Sequence, residues 1–455
     1  MDRRKFLLAA SALAVTPATR SLQAFGRGGA GSKADHTLRI TKASLEVARG
    51  RFVQTTGYNG GVPGPLIRLK QGVPVTMDLV NESGAPEFVH FHGVGTPIVV
   101  DGAEEEGSPV LAPGATRRIT FTPGQAGNRW YHTHTMAMTD IARGGYSGQY
   151  GFLYVEPKSE PGGYDQEVFL AAHHWEPSIL HRPAPPNNDW TVTYGISSLG
   201  ERALGHGEPI RVKEGQRVLF HLLNASATRQ VTLALAGHKM QVVALDGNPV
   251  PRRQMLDAVQ LAVAERVDVI VEMNQPGVWI MGAPRDQDRT DGMGVVVEYA
   301  GRTGEPQWQA LTTVPWDYSQ FAAETVPSRP APVEGVIDLE FHMMPDEGTA
   351  FNKWMVNGKE FPHTDPIKVK RGKRYRMVLH NGHEDGHPIH LHRHLFEVVK
   401  IGDKPVSGLI KDTVNVGRDQ TVEVEFLADN PGLSLLHCHM QHHMDYGFKT
   451  LIDYV

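Results

Sequence analysis

Pro65-Leu66-Ile67-Arg68-Leu69-Lys70-Gln71-Gly72 is followed nine residues later by Asn81, and the pattern returns twice in the chain. Pro209-Ile210-Arg211-Val212-Lys213-Glu214-Gly215 leads to Asn224, and Pro366-Ile367-Lys368-Val369-Lys370-Arg371-Gly372 leads to Asn381. The stretches between glycine and asparagine, such as 73–80 and 217–223, alternate apolar and polar residues, the mark of a strand with one buried face. The glycines recur at intervals of 143 and 157 residues. Each interval is the length of a complete β-sandwich with turns every 8 to 12 residues, as a Greek key requires. The 48 glycines and 31 prolines lie at turn spacing and form no low-complexity block. An all-β chain is predicted: three consecutive Greek-key β-sandwich domains over 35–160, 161–305 and 306–455.

Residues 1–34 are set aside as a leader. Asp2-Arg3-Arg4-Lys5-Phe6-Leu7-Leu8 and the apolar stretch 7–15 resemble a twin-arginine export signal. That resemblance implies a periplasmic or secreted protein, a passing partnership with the twin-arginine export machinery, and no stable membrane anchor after signal cleavage. The formal net charge of −5 provides no basic footprint for nucleic acid. A single cysteine, Cys438, excludes an intramolecular disulfide.

Histidine is concentrated. Random placement of the 23 histidines would produce about one His-x-His triplet. Five occur, starting at His90, His132, His390, His392 and His437. Four fall at matching places in the first and third repeats: His90/His92, His132/His134, His390/His392 and His437/His439. The matching places of the middle repeat, near 232–234 and 282–284, hold none, so that domain is expected to act as a spacer. Side chains two apart on a strand share a face, so each pair offers two imidazoles to one neighbourhood. Eight imidazoles suit copper, zinc or iron.

Cys438 narrows the choice to copper. It stands between His437 and His439, so its sulfur faces away from them, and His387 and His443 lie nearby in sequence. Two histidines and a thiolate are the trigonal set of an electron-transfer copper centre.

The segments HFHG (90–93), HTH (132–134), HPIHLH (387–392) and HCHMQHHMDYGF (437–448) resemble the four copper-binding signatures of multicopper oxidases, in particular three-domain laccases. The resemblance covers about residues 36–455 and implies three cupredoxin-like domains holding four copper ions. It implies a type 1 copper on His387, Cys438 and His443, with Phe448 at the axial position. A type 2 copper falls to His90 and His390, and a type 3 pair to His92, His132, His134, His392, His437 and His439. Electrons from a small-molecule donor would enter through an exposed edge of His443 or His387. They would then pass from Cys438 to His437 and His439 and reduce O2 to two waters. Asp101 resembles the family's carboxylate beside the type 2 copper and is expected to serve proton delivery.

Some features depart from the family or lie outside it. Met440, Gln441 and His442 fill the place where an acid often stands, leaving His442 as a candidate relay. His173, His174 and His394 are expected in hydrogen-bonded or surface roles, and Glu104-Glu105-Glu106 in a solvated loop. The expected activity is oxidation of phenolic or related aromatic donors. The alternatives are a cuprous or other metal-ion oxidase, which usually adds a methionine-rich insert absent from these dispersed 15 methionines, and a copper-free scaffold on the same fold.

Overall fold

Asn81, Asn224 and Asn381 explain why the repeat is legible. Each is buried at the end of a strand and pins the chain where it leaves the sheet. The Asn81 amide donates to the carbonyls of Ala85 and Leu111, that of Asn224 to Arg229 and Leu261, and that of Asn381 to Asp385 and Val416. Their side-chain oxygens accept the backbone N–H groups of Ser83, Ser226 and His383. The glycines that open these strands, Gly72, Gly215 and Gly372, all have φ near +80° (77°, 82° and 77°), a turn conformation that disfavours a Cβ. A buried polar side chain persists where it satisfies backbone groups that no ladder reaches.

The computed structural model describes residues 33–158, 162–184, 187–311, 316–324, 332–345 and 351–455. All but the last two residues of the leader lie outside this set. Residues Asp35–Val455 form one compact unit. Its strands make six sheets, two per sandwich: the second and third sandwiches share one strand order, and the first is a shorter version of it with two four-stranded sheets. In each repeat the first long strand pairs in parallel with the strand ending at the buried asparagine: His36–Ala48 with Val75–Asn81, Gln166–Ala184 with Arg217–Asn224, and Val333–Met344 with Arg374–Asn381. In each, a short strand just before the glycine turn runs parallel to the last strand: Ile67–Lys70 with Tyr150–Glu156, Ile210–Val212 with Gly294–Tyr299, and Ile367–Val369 with Lys449–Tyr454. The sheets face one another across apolar side chains from alternate positions. In the first sandwich Leu38, Ile40, Met77 and Ile119 of one sheet meet Leu69, Phe91, Tyr131 and Leu153 of the other. The fold is all-β and cupredoxin-like.

The histidine pairs occupy the same two strands in both outer sandwiches. His90 lies opposite His132, and His390 opposite His437. The equivalent rung of the middle sandwich pairs Ala234 with Gly282. No helix among the described residues is long and apolar enough to cross a membrane.

Candidate metal centre

The strand Val89–His92 of the first sandwich and His387–Leu391 of the third bring their histidines together. The His90 ring stacks on His392 at 3.9 Å between centroids, and His92 stacks on His390 at 3.7 Å. Ligand atoms of His90, His390 and His392 lie within 4.8 Å of one another, as do those of His90, His92 and His132 and those of His134, His392 and His437. His439 completes the group, its ring 5.1 Å from that of His132.

Hydrogen bonds fix which nitrogen six of the eight imidazoles turn inward. His90, His132, His390 and His437 donate Nδ1–H to the carbonyls of Asp101, Thr133, Asp412 and Cys438 at 2.9, 2.8, 2.7 and 2.9 Å. Their Nε2 atoms therefore carry lone pairs, and those of His90, His132 and His390 are buried with no hydrogen-bond partner, as is that of His439. The Nε2 atoms of His392 and His437 face each other at 3.1 Å. His92 is inverted: Nε2 faces Asp412 and Thr413, and Nδ1 is the unpartnered atom. Buried lone pairs converging on shared space cost free energy unless a cation takes them. Burial holds His92, His132, His134, His390, His392 and His439 well below the usual imidazole range, and His437 at about 3. Neutral imidazole is the form that binds a metal.

On the opposite side of the strand Ser434–Cys438, the Cys438 sulfur lies 3.4 Å from His443 Nδ1 and 3.8 Å from His387 Nδ1. All three residues are fully buried. Burial pushes the thiol up, so a thiolate here needs a cation beside it. Three converging soft and borderline donors fit copper. The short helix Gln441–Asp445 and the turn after it return the chain so that Phe448 packs its ring 4.9 Å from His387. Met444 lies elsewhere, lining a small cavity of about 30 Å³ with His132, His437, His439 and Gln441.

Two expectations need correction. Neither His387 nor His443 has an exposed edge, since both are 0% exposed. Trp354 covers them, 3.9 Å from the His443 ring and 4.9 Å from that of His387. The partly exposed His383 stacks edge-on against Trp354 at 4.9 Å. The run Glu104-Glu105-Glu106 is not a solvated loop beyond Glu104. Glu106 is 2% exposed and accepts the Leu435 N–H at 2.7 Å, and Glu105 forms a buried ion pair with Lys449. A three-residue run cannot reveal in advance that the far sandwich covers it.

Asp101 is fully buried, with both oxygens engaged. Oδ1 accepts from the Thr96 hydroxyl at 2.5 Å, and Oδ2 accepts Nδ1–H of His392 at 2.8 Å. The carboxylate thus supports an imidazole from behind. Glu106 lies beside it, pushed up by burial and by the Asp101 charge. His442 stands on the side of the Cys438 triad, against Phe351 and His443. Gln441 stands on the side of the eight imidazoles, accepting from Gly145 N–H and donating to Asp445. His394 bonds the His392 carbonyl and Tyr454, His173 the Ala225 carbonyl, and His174 Ser226. Two buried acids beside these groups had no sequence signal. Asp445 is drawn in by Ala137 and Met138 N–H groups, and Asp412, far in sequence from His92, joins the cluster only through folding.

Similarity to known proteins agrees with this geometry. Three domain families described as multicopper oxidase match residues 39–160, 181–299 and 332–453. Multicopper oxidase MmcO of Mycobacterium tuberculosis is 28% identical over 98% of this chain and 92% of its own. Laccase-2 of Fomitopsis schrenkii is 26% identical over 91% of this chain and 89% of its own. The crystal structure of Fet3p, a multicopper oxidase that functions in iron import, superposes with a TM-score of 0.76 at 19% identity, covering 92% of this chain and 90% of that one. With eight convergent imidazoles, a buried Cys438 triad and family matches across all three sandwiches, the chain belongs to the multicopper oxidase family.

Proposed function

We propose that the protein is a laccase-like oxidase that couples four one-electron oxidations of phenolic or related aromatic donors to reduction of O2 to two waters. One observation carries this reading. Cys438 directs its sulfur to His387 and His443, while the residues on either side of it, His437 and His439, belong to the cluster of eight imidazoles. The covalent path between the two sites is a few bonds long.

His387, Cys438 and His443 would hold a type 1 copper, with Phe448 packed beside His387. His90 and His390 would hold a type 2 copper, and His92, His132, His134, His392, His437 and His439 a type 3 pair. When bound, copper supplies the one-electron steps at the triad and the reduction of O2 at the imidazole cluster. The chain does the rest. Trp354 and Phe448 exclude water from the triad. The backbone of Cys438 links the two sites and accepts Nδ1–H of His437 through its carbonyl. Asp101 holds the proton-bearing nitrogen of His392 and stands beside Glu106, which supports a role in proton delivery. The Arg3-Arg4 leader supports export by the twin-arginine route to the periplasm or beyond.

A second reading, oxidation of cuprous or other metal ions, draws on the buried triad. A bulky donor does not touch His387 or His443 directly, whereas His383 and Asp385 are accessible beside Trp354. Oxygen uptake by the copper-loaded protein with a phenol, an aromatic amine, bilirubin and cuprous ion separates the two. Turnover confined to cuprous ion would overturn the phenol reading.

A further inference from the structure

The middle sandwich has no His-x-His pair, yet Arg266, at the start of its strand Arg266–Glu272, reaches the edge of the imidazole cluster through Asp412. Arg266 is fully buried and grips Asp412 of the third sandwich with both arms of its guanidinium, Nη1 to Oδ1 at 2.8 Å and Nη2 to Oδ2 at 2.5 Å. Asp412 Oδ1 in turn lies 3.1 Å from His92 Nε2, and the Asp412 carbonyl accepts Nδ1–H of His390 at 2.7 Å. Thr413 Oγ1 donates to Asp412 Oδ1 at 3.0 Å and lies 3.1 Å from His92 Nε2. Asp246, also from the middle sandwich, accepts the Thr413 N–H at 3.2 Å and pairs with Lys411 at 2.9 Å.

We propose that Arg266 is a positioning residue for the metal centre: it locks the Asp412 carboxylate so that His92 keeps its proton on Nε2 and presents Nδ1 to the metal. A carboxylate held by both oxygens in a guanidinium fork can only accept, so His92 Nε2 must donate and the lone pair falls on Nδ1. His90, His132, His390 and His437 take the opposite tautomer because backbone carbonyls face their Nδ1 atoms. A second observation points the same way. A Cβ on Gly93, next to His92, would stand 2.4 Å from Asp412 Oδ2 and 2.9 Å from Arg266 Nη2, so the backbone is stripped bare where the clamp passes. The ligand-free domain therefore sets one donor atom of the cluster as well as the spacing.

The inference rests on the metal reading above, and the experiment separates the two. In wild-type apo-protein, ¹⁵N NMR of labelled histidine, with His92 assigned by its loss in His92→Gln, should show the Nε2–H form. A proton on Nδ1 would overturn the proposal whatever the variants do. Arg266→Met should keep the blue absorption of the triad while retaining copper in the cluster at least about 10-fold less well, the usual effect of losing an outer hydrogen-bond partner. Arg266→Lys, which restores charge without the fork, should recover only part of that loss. An Arg266→Met protein with wild-type copper content and type 2 electron paramagnetic resonance, changed only in melting temperature, would reduce Arg266 to a structural role. If Arg266→Met does not fold, the wild-type tautomer and Arg266→Lys decide. A wild-type protein that binds no copper would defeat the metal reading, while the tautomer would still test the clamp.

Discussion

The Nε2 atoms of His392 and His437 lie 3.1 Å apart, although His392 follows the strand His387–Leu391, His437 lies on the strand Ser434–Cys438, and each has its Nδ1 committed elsewhere. His392 Nδ1 donates to Asp101 and His437 Nδ1 to the Cys438 carbonyl, so two lone pairs are turned toward each other in a buried space. Two neutral imidazoles hold that arrangement when a cation lies between them. The relationship also joins the two candidate sites, because the carbonyl that orients His437 belongs to the residue whose sulfur points at His387 and His443.

Cys438→Ser should abolish the intense blue absorption of the loaded protein and lower its copper content from about four to about three per chain, with the fold kept. Visible spectroscopy with copper analysis checks this. A blue Cys438→Ser protein would reject the thiolate assignment.

His132→Ala and His437→Ala should separate the two half-reactions. Donor should still bleach the blue band in a single turnover, whereas oxygen uptake should fall to background, because each change removes a nitrogen from the imidazole cluster only. Stopped-flow bleaching and an oxygen electrode give the two rates. Loss of both together would contradict the partition.

Asp101→Asn should keep the blue band and slow O2 reduction about 10- to 100-fold, as expected when a carboxylate behind a metal-binding imidazole is replaced. The loss should be greatest at high pH, where protons are scarce. Unchanged turnover across the pH range would leave Asp101 with no part in the chemistry.

Phe448→Met should lower the reduction potential of the triad, since a thioether can donate to the metal where a phenyl ring only excludes water. Redox titration of the blue band measures it, and donors that are hard to oxidise should slow most. Met444→Leu should leave the potential unchanged, because Met444 lines the cavity beside His437 and His439. The reverse pattern would make Met444 the axial group.

His221 provides a pH dependence outside the candidate ligands. Burial pulls its imidazole down, but the Asp268 carboxylate at 2.9 Å and Glu167 at 3.5 Å outweigh burial and raise it to about 9. A raised folded value stabilises the protein below the unfolded histidine value of about 6.5, and the contribution is lost as pH rises through about 9. His221→Gln should therefore cost up to about 3 kcal/mol near pH 6 and nearly nothing above pH 10. Chemical denaturation of both proteins at the two pH values tests the sign.

The three sandwiches and the eleven candidate ligands were legible in the sequence because each is written locally. A glycine turn, a capping asparagine nine residues on, and two histidines sharing a strand face all follow from backbone geometry over a few residues. Cys438 was legible for the same reason, since a residue between two same-face neighbours must point the other way. Tertiary structure alone decided the rest. Burial of His387 and His443 under Trp354 depends on a strand more than thirty residues away, and the covering of Glu105 and Glu106 depends on Lys449 and Leu435. The tautomer of His92 depends on Asp412, and Asp412 on Arg266 of a domain with no ligands. Hydrogen-bond polarity and desolvation are properties of what surrounds a group, and nothing in a linear spacing records which strand of another domain will supply the surroundings.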